Sequence, residues 1–196
     1  MAYQLTPWGY EVDGPLPLLV TAEDFEDATD GRWADDLRTI TAVTAASAAI
    51  RNACGWHVGP SMRCRATIDV DGLTRSLWLP ARNVTDVVSV TVGGVATDDY
   101  EWSRIGEVRF PHSLHRGLQA VVIEYVAGTC PGDLAALVAG IAGRSLALRP
   151  GVTSESAGGV SVSVSATIAA SASAPFLTDA ERTVLAPYKV VRAHAT

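Results

Sequence analysis

The 196-residue chain lacks the paired-cysteine motifs and the long apolar runs that assign many proteins to a redox class or to a membrane. Its three cysteines, Cys54, Cys64 and Cys130, form no CxxC pair, which argues against a zinc knuckle or a redox motif and favours buried, reduced thiols. No apolar run approaches the roughly 20 residues that span a bilayer, and no secretory signal is visible. We therefore expect a soluble protein, made in a cytoplasm, with no membrane partner.

Positive charge is also scarce. Lys189 is the only lysine, the formal net charge is −6, and no cluster of basic residues is present. Binding of nucleic-acid phosphates through charge neutralisation is therefore not supported. An excess of acidic over basic residues suits a surface along which DNA slides without binding. It suits ordinary solubility equally well, so charge alone does not separate these two interpretations.

Motifs that carry catalysis are missing as well. The sequence contains no GxSxG, no GxxxxGK followed by serine or threonine, and no strand-associated GxGxxG. His112 and His115 form an HxxH pair in a predicted loop, but without a third ligand nearby this pair favours a solvated loop over a metal site. We expect no catalytic residue, no metal and no cofactor. A hydrolase that uses one of these histidines is the least favoured function.

The sequence does contain enough apolar material for a core, with 48% hydrophobic and 18% charged residues. Two regions with helical spacing of apolar residues enclose a stretch with alternating, strand-like spacing. We predict an α+β fold, in which a small core of three to four helices carries an inserted antiparallel β module and an extended C-terminal tail. The predicted parts are an extended N-terminal arm at 1–20, helical core at 21–55, the β module at 56–128, helical core at 129–150, and a tail with a strand and a short helix at 151–196.

One predicted helix runs from about Ala34 to Cys54, has Asp35 and Asp36 at its N-terminal end, and carries alanines on several faces. Its apolar stripe consists of Leu37, Ile40, Val43, Ile50 and Cys54. Such a helix can contact partners on more than one side. In the third helix two glycines cost about 1 kcal/mol each, and we expect another backbone to approach closely there. The residues predicted to pack between subunits are Trp8, Trp33, Ala42, Ala45, Ala46, Ala49, Gly140 and Gly143.

Turn signals and alternation predict the β module. Asp71-Gly72 lies between alternating stretches at 63–70 and 73–79, which indicates a hairpin. Further strands, with 84–92 and 118–126 the clearest, bring the total to about six in a sheet or small barrel. The tryptophans predicted to anchor the core, rather than to contact a partner, are Trp56, Trp78 and Trp102.

The tail combines three signals. Residues 160–165 alternate valine and serine, a pattern typical of a strand that pairs with an exposed sheet edge, either of a partner or of its own subunit. Residues 169–174 are predicted to be a flexible spacer. Thr178 and Glu181 form a capping box at the start of a short helix, with Leu177 as the preceding staple residue.

Several stretches of the chain carry a likeness to a known family. They are 19–25 (LVTAEDF), 45–58 (AASAAIRNACGWHV), 77–80 (LWLP), 100–103 (YEWS), 153–158 (TSESAG) and 185–188 (LAPY). By the order and spacing of these stretches, the chain resembles the head–tail adaptor, or head–tail connector, proteins of long-tailed double-stranded DNA phages. The likeness covers most of residues 19–190. It departs from the family at Ala53, where related sequences often carry an aromatic residue.

The resemblance implies a virion protein that forms a ring, usually of twelve copies, on the portal protein. Such a ring extends the DNA channel, lets the genome pass without sequence-specific binding, and offers a docking surface for the next neck or tail-completion protein. The alternatives are another neck or tail-completion protein and a virion surface-binding module built on the β region. In this family the C-terminal segment often reaches onto the portal. The residues expected to dock there are Val160, Val162, Val164, Phe176, Leu177, Tyr188 and Arg192.

Overall fold

The computed structural model describes residues 2–129, 132–147, 154–157, 160–163 and 177–190. The chain divides into two compact units, each built from separate stretches. The helical unit comprises residues 18–53 and 131–186, and the β unit comprises residues 1–17, 54–130 and 187–196. The predicted α+β class is confirmed. Among the described residues, no helix is both long enough and apolar enough to cross a membrane.

Capping interactions define the ends of the short helices. Thr21 precedes the first helix, and its hydroxyl accepts the N–H of Asp24 at 3.0 Å. The predicted capping box is confirmed, because the Thr178 hydroxyl accepts the Glu181 N–H at 3.3 Å and the Glu181 carboxylate accepts the Thr178 N–H at 2.7 Å. The described helices are α1 (Ala22–Ala28), α2 (Thr39–Cys54), α3 (Gly132–Ala147) and α4 (Asp179–Leu185), with a 3-10 turn (Ala186–Tyr188) after α4.

Helix α2 begins at Thr39, so the prediction that it begins near Ala34 is wrong. The Asp36 carboxylate accepts the backbone N–H of Arg38 at 2.9 Å, and the Asp36 carbonyl accepts the N–H of Thr39 at 2.9 Å. These local bonds close a turn where the helix was expected, as aspartate side chains often do. Asp35 and Asp36 therefore lie before the helix and do not occupy its first turn.

The buried face of α2 is narrower and smaller than predicted. Val43, Ile50 and Cys54 are buried as expected, together with Ala46 and Ser47 at helical spacing. Leu37 is 96% exposed and Ile40 is 52% exposed, so their assignment to the buried stripe is wrong. Leu37 belongs to the turn before the helix, and Ile40 lies one position round from the buried Thr39.

A six-stranded antiparallel sheet forms the main part of the β unit, in the order β1-β2-β3-β9-β5-β6. A second sheet has the order β4-β8-β7, and β10 pairs with β11 within the helical unit. Residues 1–20, predicted as an arm, contain β1 and β2, and β2 pairs with β3. The strands are β1 (Tyr3–Leu5), β2 (Glu11–Asp13), β3 (Met62–Val70), β4 (Thr74–Trp78), β5 (Val84–Val92), β6 (Val95–Thr97), β7 (Glu101–Trp102), β8 (Glu107–Leu114), β9 (Gly117–Ala127), β10 (Ser154–Ala157) and β11 (Val160–Ser163).

The hairpin predicted at Asp71-Gly72 is wrong, although a turn does occur there. Strand β3 leaves this turn to pair with β2 and β9, whereas β4 pairs with β8 in the other sheet. Strand β9 buries Val121, Ile123 and Tyr125, which makes it the best apolar partner for β3. Burial across the sheet thus outweighs the local preference of the turn, as β pairing is set mainly by packing.

A buried polar cluster lies at one end of the main sheet. His57 is fully buried, its Nε2 lies 2.9 Å from the Ala127 carbonyl, and its Nδ1 lies 2.8 Å from the Tyr10 hydroxyl. Because a carbonyl oxygen only accepts, Nε2 carries the proton and Nδ1 accepts the proton of the tyrosine. The Tyr10 hydroxyl in turn accepts the backbone N–H of His57 at 2.9 Å. The cluster fixes the N-terminal stretch to the strands that follow α2.

Candidate interaction surfaces

Within the described part of the chain, the histidines and cysteines do not form a cluster. His112 lies in β8, so the prediction that it belongs to a loop is wrong; His115 lies between β8 and β9, and both histidines are exposed. Among the described residues, no three histidine, cysteine, aspartate or glutamate side chains come close enough to hold a metal ion. Burial raises the pKa of Cys54 to about 11 and that of Cys64 to about 12. Both are buried thiols, as predicted, while Cys130 lies outside the described residues.

The small residues predicted to pack between subunits occupy different environments. Ala46 is fully buried within its own unit, whereas Ala42, Ala45 and Ala49 lie half-buried along the flanks of α2. The expected approach of another backbone to Gly140 is wrong for the described residues, since no atom lies within 4 Å of a Cβ placed there. A Cβ at Gly143 would lie 3.9 Å from Nε1 of Trp33, which is a side-chain contact. The outer face of α3 is therefore open at Gly140.

The two tryptophans predicted to lie between subunits are half-buried. Trp8 stacks on Tyr10 with 6.3 Å between ring centroids, and the Arg32 guanidinium lies 5.0 Å from the centroid of the Trp33 ring. Of the three tryptophans predicted in the core, only Trp56 is buried there, with 1% exposure. Trp78 is 44% exposed and Trp102 is 38% exposed, so their assignment as core anchors is wrong. Both lie in the three-stranded sheet, and each of their strands has a free edge.

Three segments of the β unit form a surface that we call the basic edge: 79–84, 102–106 and 187–190. The Gly106 carbonyl accepts the N–H of Leu79 at 2.8 Å, and the Arg104 carbonyl accepts the N–H of Val84 at 3.0 Å. The Arg82 guanidinium donates to the carbonyl oxygens of Pro187 and Lys189, both at 3.0 Å. These bonds place the three segments side by side.

The basic edge carries three cations and no acidic residue. Its cations are Arg82, Arg104 and Lys189, and none of them forms a salt bridge within the described part of the chain. Ile105, in the same edge, is 50% exposed. In a protein with a formal charge of −6, this is a local excess of positive charge. The edge therefore favours an acidic partner.

The two half-exposed tryptophans border a polar cluster beside this edge. Trp78 lies opposite Glu107 in the sheet register, and Trp102 lines the same surface pocket as Glu107 and Arg109. The hydroxyl of Ser76 donates to Glu107 at 2.6 Å and Arg109 donates at 2.9 Å, and these two bonds, in that order, lower the Glu107 pKa. The charge of the Glu107 carboxylate is thus offset by the neighbouring Arg109.

The helical unit carries a segment of the opposite charge, residues 23–40, which we call the acidic corner. Arg32 is the only basic residue before Arg38, and the Arg38 guanidinium bonds to Asp36 at 2.7 Å. Leu37 and Ile40 are exposed at the end of this segment. Its acidic residues are Glu23, Asp24, Glu26, Asp27, Asp30, Asp35 and Asp36.

The residues predicted to dock on a portal are only partly described. Leu177 is 9% exposed in the helical unit, and the Tyr188 carbonyl accepts the Nε1–H of Trp56 at 2.7 Å in the β unit. Val160 and Val162 lie in β11, which pairs with β10 of the same chain. Val164, Phe176 and Arg192 lie outside the described residues, as does the predicted spacer at 169–174. The described part of this set is thus divided between the two units.

Helix α4 is held by the carboxylate that also completes its capping box. Arg144 of α3 donates to the two oxygens of Glu181 at 2.7 and 3.1 Å. Burial raises the Glu181 pKa, but the hydrogen bonds from Arg144 and Thr178 outweigh that effect, so the pKa is lowered. This ion pair fixes α4 to α3.

Comparison with known proteins adds evidence on the fold. No protein-family model matches the chain, and no curated protein matches it. A chain in the neck of an empty GTA (gene transfer agent) particle, computed with C6 symmetry, superposes with a TM-score of 0.62 at 16% identity, covering 94% of this chain and 96% of the other. A chain in the neck of a native GTA particle, computed with C12 symmetry, superposes with a TM-score of 0.57 at 14% identity, covering 98% and 97%.

These similarities show that the chain shares its fold with these two GTA neck chains along nearly its whole length. The resemblance drawn from the sequence is confirmed at that level. Sequence reasoning missed the basic edge, whose members come from three distant segments. One signal was available, since 79–84 contains no acidic residue and directly follows a tryptophan.

Proposed function

We propose that this protein is a structural head–tail adaptor, which forms a ring in the neck of a phage or phage-like particle. The observation that carries the proposal is the similarity of fold over 94–98% of the chain to proteins of GTA necks with C6 or C12 symmetry. Both chains are also matched nearly end to end, so the shared part is not a common small module. The role is non-catalytic, in keeping with the surfaces described above.

In this role, identical copies, twelve in the expected case, close a ring on the portal protein and extend the channel through which the genome passes. The acidic balance of the chain, −6, suits a channel wall that does not retain DNA. The opposite end of the ring receives the next neck or tail-completion protein. The protein is made in the host cytoplasm and ends in the virion.

The proposal is tested by mixing the purified protein with purified portal and measuring mass by light scattering, followed by negative-stain electron microscopy. We expect rings of defined symmetry that bind one end of the portal. The protein remaining monomeric at all concentrations in the presence of portal would contradict the proposal. Immunogold labelling of intact particles is the second readout, with label expected at the neck and not at the tail tip or across the capsid.

The C-terminal tail is proposed to contact the portal. The residues proposed to make this contact are Val160, Val162, Val164, Phe176, Leu177, Tyr188 and Arg192. A chain that ends at Val190 lacks Arg192 but keeps every described contact of Pro187 to Val190. Changing Val160 and Val162 to threonine alters the strand while keeping β-branched side chains. If the chain ending at Val190 binds portal as tightly as the full protein, Arg192 has no part in docking. Equally tight binding by the threonine variant would exclude a docking role for Val160 and Val162.

A further inference from the structure

We propose that the basic edge of one copy docks on the acidic corner of the next copy, and that this contact closes the ring. The inference rests on the proposed function, because it names the surfaces by which the ring subunits meet. A ring requires a head-to-tail contact between two different surfaces of the same chain. Such a contact is favoured when the two surfaces are complementary in charge and each offers apolar area.

The charges of the two surfaces are opposite. The basic edge holds three cations and no acidic residue, and none of the three is in a salt bridge among residues 2–129 and 177–190. The acidic corner holds seven acidic residues against Arg32 and Arg38. Only Asp36 of these acids is in a salt bridge within the described part of the chain. Each surface thus offers charges that its own unit leaves uncompensated.

Both surfaces also expose large apolar side chains. Ile105 is 50% exposed on the basic edge, and the half-exposed Trp78 and Trp102 lie beside it. On the acidic corner, Leu37 is 96% exposed and Ile40 is 52% exposed. Tryptophan and arginine near apolar side chains are the residues that most often dominate binding energy at protein interfaces. Leu37, which packs on almost nothing in its own subunit, would lose most of its exposed area in such a contact.

A second copy explains these features better than DNA does. Three cations are few for a surface that binds DNA by counterion release, and a phosphate backbone would not cover Ile105 or Leu37. An acidic protein surface satisfies both the cations and the apolar residues of the edge. The acidic corner is a surface of that kind on the same chain.

Cross-linking tests the contact directly. The double variant Leu37→Cys with Ile105→Cys is treated with a short bis-maleimide, and the matched control combines Leu37→Cys with Leu73→Cys. Leu73 is 76% exposed in the β3–β4 turn, away from the basic edge. We expect a ladder of dimers and larger multimers from the first variant, and no more than the background of the unsubstituted protein from the control. No ladder, or equal ladders from both variants, would overturn the proposal.

Charge reversal gives an independent readout. We expect Arg104→Glu in the Leu37→Cys, Ile105→Cys background to slow cross-linking at least tenfold, and Asp35→Arg to restore part of that rate. Arg75→Glu, which alters an exposed arginine outside the edge, should leave the rate unchanged. If Arg104→Glu leaves cross-linking intact but lowers retention of double-stranded DNA on a filter, the edge is a nucleic-acid surface and the proposal is wrong.

The outcomes separate this contact from the proposed function. Rings on the portal without the specific ladder would show that the subunits meet through other surfaces, and the adaptor role would stand. A specific ladder without any binding to portal would establish the contact and contradict the adaptor role.

Discussion

At the scale of single residues, the β unit depends on a few buried polar groups with matched partners. His57 has both ring nitrogens bonded, one to a carbonyl and one to a tyrosine hydroxyl, although nothing in its sequence neighbourhood indicated such partners. Its partners Tyr10 and Ala127 lie 47 and 70 residues away. Sequence reasoning could not assign the structural role of this residue, because its partners are distant along the chain.

Removing the Tyr10 hydroxyl tests this cluster. Tyr10→Phe leaves the His57 Nδ1 and the His57 backbone N–H without their partner in a fully buried site. We expect a loss of about 2 kcal/mol in the free energy of unfolding, measured by urea titration. The control is Tyr100→Phe, whose hydroxyl makes only a 3.5 Å bond from a half-buried position. A similar loss of unfolding free energy from both variants would show that the hydrogen bonds of the Tyr10 hydroxyl do not stabilise the protein more than the bond of Tyr100.

Gly128 is a second residue on which the same region depends. It has φ +117°, and a Cβ there would lie 2.5 Å from the Pro60 carbonyl oxygen and 2.8 Å from His57 Nε2. We expect Gly128→Ala to destabilise the protein by at least about 3 kcal/mol, because both the backbone conformation and the space exclude a methyl group. Gly94→Ala, with φ +83° but open space around it, should cost about 1 kcal/mol. Equal effects in thermal unfolding would contradict the steric argument.

At the scale of elements, local signals were reliable and pairing was not. The capping box at Thr178 and the strand near 118–126 could both be predicted, because each depends on residues within a few positions. The partner of β3 could not be predicted, since it is chosen by burial against β9 and not by the adjacent turn. The start of α2 was missed because the Asp36 side chain closes a competing turn.

The outer face of the main sheet carries an ion-pair network that links two neighbouring strands. Glu124 of β9 bonds to Arg65 at 2.6 Å and to Arg63 at 2.7 Å, both on β3. The bond from Arg65, more than that from Arg63, lowers the Glu124 pKa below its ordinary value of 4.5 despite partial burial. Because the folded pKa lies below the unfolded one, the stabilisation is present above pH 4.5 and is lost as pH falls through the folded pKa.

Glu124→Gln should therefore flatten the acid side of the stability profile. We expect the variant to melt at a lower temperature than the unsubstituted protein at pH 7, with the difference shrinking as the pH falls toward 3. Differential scanning calorimetry across that range measures it. The control is Glu101→Gln, at an exposed residue without a salt bridge in the described chain. We expect the difference in melting temperature between this variant and the unsubstituted protein to be the same at every pH. If the difference in melting temperature between Glu124→Gln and the unsubstituted protein does not change with pH, the ionisation of Glu124 does not contribute to the pH dependence of stability.

At the scale of the whole molecule, the α+β class could be predicted, while the basic edge could not. The alanine-rich face of α2 stood out in the sequence because its members are close along the chain. The basic edge did not, because it is assembled from 79–84, 102–106 and 187–190 by backbone hydrogen bonds. Surfaces of that kind are determined by tertiary structure, which residue spacing does not encode directly.

Truncation at two neighbouring points tests how the C-terminal segment supports the β unit. A chain ending at Ala186 loses the carbonyls that accept from Trp56 and Arg82, whereas a chain ending at Val190 keeps them. We expect the shorter chain to lose about 1–3 kcal/mol in the free energy of unfolding, because the indole N–H of Trp56 is left unpaired in a buried site. Urea titration followed by tryptophan fluorescence measures the difference. Equal stability of the two chains would show that the segment is dispensable for folding.

The hydrogen bond from Trp56 to Tyr188 joins residues 132 positions apart, so the indole finds its partner only after Tyr188 has left the ribosome. A nascent or prematurely terminated product therefore presents an incomplete β unit, in which Arg82 lacks the two carbonyls that orient it beside Arg104. Only molecules that contain residues 187–190 would display a complete edge to their neighbours. In the proposed ring, translation through this segment would then act as a check on each subunit, because a shorter fragment could not offer the complete edge.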